Sequence, residues 1–243
     1  MILCLDSGNS QVKYGVLASS GAADWLCCGS LAHTALGRLA EHLAAYPAVR
    51  HIVCANVAGA AALARLRDAL RFLSATWHEV RSGAMAAGVR NAYAEPLQLG
   101  VDRWCALIGA RHAQPGKLLV VMAGTATTID ALTAEGEFCG GHILPGQRLM
   151  RQALARDTAA LPLAEGAYRA WPQTTQDAIE SGTLLAQIGA IECAWAAWPD
   201  SVCLLSGGAS RRLAAYFSRP VRQIDNLPLL GLRQLARLEL RLD

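Results

Sequence analysis

The 243-residue chain has no C-x-x-C pair, no basic run, few aromatics and no uninterrupted apolar stretch of membrane-spanning length. Each absence removes a class of function. Cysteines without metal-ligand spacing argue against a zinc site. The eight that are present (Cys4, Cys27, Cys28, Cys54, Cys105, Cys139, Cys193 and Cys203) mostly lie in apolar runs. A free thiol there behaves as a small hydrophobe, so reduced structural cysteines and a cytoplasmic location are expected. Aromatics make up 6%, the net charge is only +3 and Arg211-Arg212 is an isolated pair, so nucleic acid is not an expected partner. The longest apolar candidates carry Gly, Asp or Arg, which argues against a membrane span. No basic region precedes the first apolar run and Asp6 interrupts it, so no signal peptide is expected.

What remains is a globular chain, 53% hydrophobic and 17% charged, long enough for one compact unit or two small lobes. Apolar runs alternate with helical spacing along it, which gives an α/β class. Strands are expected at Ile2–Leu5, Val12–Leu17, near Trp25–Gly29, at His51–Ala55 and near Trp77–Val80. Helices are expected at Leu36–Ala45, Ala60–Leu73 and from Trp104. Pro115-Gly116 breaks the chain and marks a boundary between residues 1–114 and 115–243. The second part opens with strand–turn–strand at Leu118–Leu132, then a Gly-rich stretch over Gly140–Gly146. Helices at Gln147–Ala155 and Gln176–Trp195 follow, then a strand at Val202–Leu205. The tail from Leu227 to Asp243 has helical apolar spacing.

Two segments look like copies of one device. Leu3-Cys4-Leu5 runs into Asp6-Ser7-Gly8-Asn9-Ser10, and Leu119-Val120-Val121 runs into Met122-Ala123-Gly124-Thr125-Ala126. An apolar strand, a small-residue turn and a second strand present backbone N–H groups and hydroxyls to a phosphate. In the first copy Asn9 and Ser10 add donors, Lys13 follows, and Asp6 suits hydrated Mg²⁺. The same residues also suit an ordinary hairpin with an Asx turn. The second copy carries Thr125, Thr127 and Thr128, a density of hydroxyls unusual in a mere connection. Two such hairpins, one per half, point to a nucleotide-using enzyme.

Gly100-Val101-Asp102-Arg103 is the strongest candidate for chemistry. Arg103 suits an anionic group, while Asp102 suits a hydroxyl proton. The alternative is an Asp N-cap followed by a solvated arginine. Ser206-Gly207-Gly208-Ala209, between a strand and a helix, is a further backbone-donor turn, or simple close packing. Trp171, Trp195 and Trp198 suit core or interface positions, and His142 suits a structural role.

Taken together, these motifs resemble the type III pantothenate kinase family, within the acetate and sugar kinase, Hsp70 and actin superfamily. The resemblance runs nearly end to end. It includes D-S-G-N-S at Asp6, N-A-Y-A-E-P-L-Q-L-G-V-D-R-W from Asn91 and A-G-T-A-T-T-I-D from Ala123. It continues through G-G-H-I-L-P-G at Gly140, T-T-Q-D-A-I-E-S-G at Thr174 and L-L-S-G-G-A at Leu204. It implies a duplicated ribonuclease H-like (actin-like ATPase) fold, with two lobes of mixed sheets flanked by helices. The implied reaction moves the γ-phosphoryl of ATP to the primary hydroxyl of pantothenate, the first step towards coenzyme A.

On this resemblance Asp102 is the general base. Asp6, Ser7, Gly8, Asn9, Ser10 and Lys13 form the first phosphate loop, with Mg²⁺ at Asp6, and Gly124 and Thr125 belong to the second. Tyr93, Gly100, Val101 and Arg103 line the pantothenate pocket, and Thr175 reaches it from the partner subunit of a homodimer. Val101 replaces the usual alanine. Met122 replaces an aspartate that binds a monovalent cation, K⁺ or NH₄⁺, in the family, so the potassium requirement is expected to be lost or altered. Two other functions suit the chain less well. One is a catalytically weakened accessory or regulatory factor; the other is a superfamily kinase for a sugar or short-chain acid.

Overall fold

The computed structural model describes residues 1–18, 25–163, 165–239 and 241. The chain divides into two compact units. Unit 1 comprises Met1–Pro115, Glu135–Cys139 and Asn226–Asp243, and unit 2 comprises Gly116–Ala134 and Gly140–Asp225.

In unit 1, β1 (Ile2–Ser7), β2 (Gln11–Leu17) and β3 (Cys27–Ala32) form an antiparallel meander. α1 (Leu36–Leu43), β4 (His51–Asn56), α2 (Ala60–Ala69) and β5 (Thr76–Glu79) follow. β4 is parallel to β1 and β5 is parallel to β4, giving a mixed sheet in the order β3-β2-β1-β4-β5. Every residue of the central β1 is buried, so it reads as a continuous apolar run up to Asp6. α1 places Leu36, Leu39 and Leu43 on one face, at helical spacing, and they join Leu3, Leu5 and Ile52 in the core.

Two short strands, β6 (Met85–Ala86) and β7 (Val89–Asn91), lead to α3 (Val101–Ala113). Residues 103–110 of α3 are all buried. One reason is α7 (Leu227–Gln234), which packs along it. The two glycines at this crossing allow backbone to meet backbone. A Cβ on Gly109 would strike the Leu227 carbonyl oxygen, and one on Gly231 would strike that of Cys105. A π-helical turn, Leu235–Glu239, ends this segment; residues 240, 242 and 243 of the tail lie outside the described residues.

Unit 2 contains β8 (Leu118–Ala123), β9 (Ala126–Leu132), the later part of β10 (Glu137–Pro145), α4 (Gln147–Asp157), α5 (Thr175–Ala196), β11 (Val202–Ser206), α6 (Ser210–Ala214) and β12 (Arg222–Gln223). Its strands run in the order β12-β11-β8-β9-β10, with β8 antiparallel to β9 and parallel to β11. Leu184, Ile191 and Trp195 of α5 pack on Leu119, Val121, Ala123 and Ile129. Thr174 caps α5 by accepting a hydrogen bond from the Asp177 amide at 3.2 Å. Among the described residues no helix is long and apolar enough to cross a membrane.

Several details depart from the sequence reading. The Gly-rich stretch belongs to a nine-residue strand, β10, because backbone pairing there needs no side-chain propensity. Its first residues, Glu137 and Phe138, pair with Arg90 and Asn91 of β7, so they cluster with unit 1. The main division falls between Pro115 and Gly116, but 135–139 and 226–243 return to unit 1 through that pairing and the α3–α7 crossing. All eight cysteines are free, yet only Cys4, Cys54, Cys105 and Cys203 are buried.

Candidate active site

Unit 1 assembles one group of candidate residues. β1 delivers Asp6 to the mouth of the β1–β2 turn, opposite Lys13 in the strand register. The turn closes when Gly8 N donates to Gln11 O at 3.0 Å. Its other side is held by His33, whose Nε2 donates to the Gly8 carbonyl at 2.7 Å. A carbonyl only accepts, so the Nε2–H tautomer follows, and Nδ1 is left buried without a partner. Asn9 and Ser10 are exposed. Ser7 is fully buried with its hydroxyl unpartnered, so its side chain lies inside the sheet rather than on the open turn.

Asp6 is 6% exposed, and burial raises its pKa to about 6. Lys13, 4.0 Å away, opposes the shift, and the charge of Asp102 adds to it. Asp102 sits in the first turn of α3, half-buried, behind Gly100 at the N-cap. Its Oδ1 accepts from the Arg103 amide at 2.8 Å, and among the described residues nothing else hydrogen-bonds this carboxylate.

Arg103 is 4% exposed, which contradicts a solvated first-turn arginine. Its Nη1 donates to the Tyr93 hydroxyl at 3.0 Å. Its Cζ stands 5.8 Å from the Tyr93 ring centroid and 5.6 Å from that of Phe138. These rings pack on each other with centroids 5.2 Å apart, making a cation–π clamp that fixes the guanidinium. Gly100 and Val101 also line a cavity of about 450 Å³ with Val57, Arg81 and Leu97 at the carboxyl ends of β4 and β5. Ligands of open α/β sheets bind at such strand ends.

Unit 2 holds the second turn. Gly124 N donates to Ala126 O at 3.0 Å, and the Thr125 carbonyl accepts from Gly146 N at 2.9 Å. Gly124 is exposed and Thr125 half-buried. Ala209 N donates to Ala123 O at 3.1 Å, so the Ser206–Ala209 turn secures the end of β8 by close packing. The three threonines differ in role: Thr127 donates to Gln187 Oε1, and Thr128 is buried without a partner, so Thr125 is the hydroxyl nearest the open turn. Met122 lies in register between Ser206 and Thr128, whose buried hydroxyls both lack partners. Thr175 is exposed at the start of α5, Trp171 is 91% exposed, and His142 is exposed on β10. Glu180, 1% exposed, is held by Arg151, Arg212 and Gln147. Among the described residues there is no cluster of three His, Cys, Asp or Glu side chains fit to hold a metal.

A family profile for type III pantothenate kinases matches residues 2–197. A type III pantothenate kinase of Dechloromonas aromatica is 48% identical over 238 residues, 97% of this chain and 99% of that protein. The chain belongs to the type III pantothenate kinase family. Solved structures agree on the fold. A Baf-family protein from Campylobacter jejuni superposes with a TM-score of 0.64 at 21% identity, over 97% of each chain. A Sinorhizobium meliloti protein described as a 2-dehydro-3-deoxygalactonokinase gives 0.61 at 19% identity, over 98% of each chain. The expected fold class holds: this family member is α/β, with mixed sheets flanked by helices, of the sugar kinase and actin-like ATPase type.

Residues missed by the sequence reading are His33, Phe138, Gly146 and Gln187. Each acts on a partner distant in the chain, and none carries a local signal beyond the glycine before α4.

Proposed function

We propose that the protein transfers the γ-phosphoryl group of ATP to the primary hydroxyl of pantothenate, the first step towards coenzyme A. The observation that carries this reading is Asp102 beside an Arg103 clamped by Tyr93 and Phe138, on a chain of this family. Phosphoryl transfer is mostly alignment and charge neutralisation, with modest base assistance. Asp102, with one oxygen bound to the Arg103 amide, has the other for the substrate hydroxyl and acts as its general base. Arg103, Tyr93, Gly100 and Val101 hold pantothenate, with the adjoining cavity receiving its apolar body. The Asp6–Lys13 turn and the Gly124–Thr125 turn each give the nucleotide phosphates backbone and hydroxyl donors.

Asp6 is a hard-oxygen ligand suited to hydrated Mg²⁺, and because burial raises its pKa to about 6, a cation there would favour the ionised carboxylate. Mg²⁺ bound there would neutralise the phosphate oxygens. The position of Met122 does not suit a monovalent cation: a thioether is a soft, neutral acceptor, and its neighbours in register offer only the hydroxyls of Ser206 and Thr128. Each unit serves as one lobe of an actin-like ATPase. Thr175 completes the site of a partner subunit in a homodimer, and the exposure of Trp171 and of Leu163 (65%) in unit 2 fits such an interface. A cytoplasmic location suits this role.

The test is ADP release with ATP, Mg²⁺ and pantothenate, with and without K⁺, beside Asp102→Asn. Pantothenate-dependent turnover that falls about 10²-fold or more in the variant supports the base. The same titration addresses Met122: turnover indifferent to K⁺ is expected, and a steep rise with K⁺ would show the site rebuilt from other oxygens. The accessory-factor alternative is not favoured, because the chain belongs to a family of kinases and retains Asp6, Asp102 and Arg103; ATP binding without turnover in any salt would restore it.

A further inference from the structure

We infer that Gln187, on the helix packed against this sheet, is a positioning residue for the second phosphate turn. It lies on α5 at 1% exposure, and its amide bridges two strands. Nε2 donates to the Pro145 carbonyl at 2.6 Å, while Oε1 accepts from the Thr127 hydroxyl at 2.5 Å. A carbonyl has no proton to give, so the amide orientation is fixed and Thr127 is the donor.

Both contacts end beside the turn. Thr127 is three residues beyond Gly124, at the start of β9. Pro145 precedes Gly146, whose amide holds the Thr125 carbonyl. A Cβ on Gly146 would strike the Gly124 carbonyl oxygen and come within 2.6 Å of that of Thr125, so this residue is pressed against the turn itself. One buried amide therefore sets the spacing between the β9 side of the Gly124–Thr125 turn and the end of β10, which braces the turn through Gly146. Its bonds are satisfied on both ends and shielded from water, which makes it stiff.

This inference rests on the reading that the turn binds nucleotide phosphates. The experiment measures ATP·Mg²⁺ binding by calorimetry without pantothenate, alongside KM for both substrates and thermal melting. Gln187→Met keeps the volume and removes both bonds; Thr127→Val removes one. We expect each to weaken ATP binding by about fivefold or more, the size of one net hydrogen bond, with pantothenate KM within about twofold. The double variant should bind ATP no worse than Gln187→Met, because both changes release the same turn. Thr127→Ser, which keeps the hydroxyl, should restore the affinity.

Lower melting with unchanged ATP affinity would reduce Gln187 to a packing residue and overturn the inference. So would additive losses in the double variant. If Gln187→Met fails to fold, the contrast between Thr127→Val and Thr127→Ser decides alone. Wild-type protein that binds ATP but ignores pantothenate would defeat the proposed reaction and leave this inference standing.

Discussion

Tyr93→Phe isolates one bond at the substrate side of the site. The ring stays against Phe138 at 5.2 Å and under the guanidinium at 5.8 Å; only the hydroxyl that accepts from Arg103 at 3.0 Å is lost. A net hydrogen bond to a charged group is worth about 1.5–3 kcal/mol. Arg103 has further interactions and its cation–π contacts survive, so the low end applies. About 1.5 kcal/mol corresponds to roughly a tenfold change in an equilibrium constant. If that bond aims Arg103 at the anionic substrate, KM for pantothenate should rise about tenfold while KM for ATP stays within twofold. Steady-state ADP release at saturating ATP measures it, and a melting curve checks that the fold is intact. A pantothenate KM within twofold of wild type, with unchanged melting, would refute the idea that Tyr93 orients Arg103.

Three further outcomes follow from packing and charge. Gly231→Ala puts a methyl into the Cys105 carbonyl at the α3–α7 crossing, and a loss of about 1–3 kcal/mol is expected by denaturant titration; an unchanged midpoint would mean that the two helices separate freely. Burial pushes the thiols of Cys4, Cys54 and Cys203 from 9.0 up to about 12. Above pH 9 the unfolded chain loses those protons while the folded chain keeps them, so stability should fall as pH rises from about 9 towards 12. A flat melting temperature from pH 8 to 11 would contradict this. A thiol reagent at pH 8 should modify Cys28, Cys139 and Cys193 in the folded protein and leave the buried four unmodified.

Features set by neighbouring residues were legible in the sequence. The two hairpins follow from apolar runs meeting at Gly8 and Gly124, where turn geometry fixes the register. Asp102 and Arg103 stood out beside Gly100, although the sequence placed them in a loop before a helix from Trp104 and the helix begins at Val101. Features set across long sequence distances were not. Phe138 reaches Arg103 only because β10 begins beside β7, a pairing of two residues from each strand that no propensity announces. Arg103 looked solvated because its clamp lies elsewhere in the chain. Thr127 counted among the hydroxyls of the second turn because nothing nearby reveals Gln187. Gly109 of α3 and Gly231 of α7 gave no signal in the sequence of the close approach of two backbones that they allow.

The return of α7 to unit 1 has a consequence for synthesis. A chain emerging from the ribosome presents β1 to α3 first, with the apolar flank of α3 uncovered. The covering helix is translated only after the whole of unit 2. At roughly 10 residues per second that interval is on the order of ten seconds, long compared with the folding of a small domain. During it the helix that carries Asp102 and Arg103 exposes a sticky surface, and a molecule meeting its neighbour on the same message is most vulnerable to misassociation then. The last helix therefore acts as a lock on the first unit, turned only when the rest of the protein has been made.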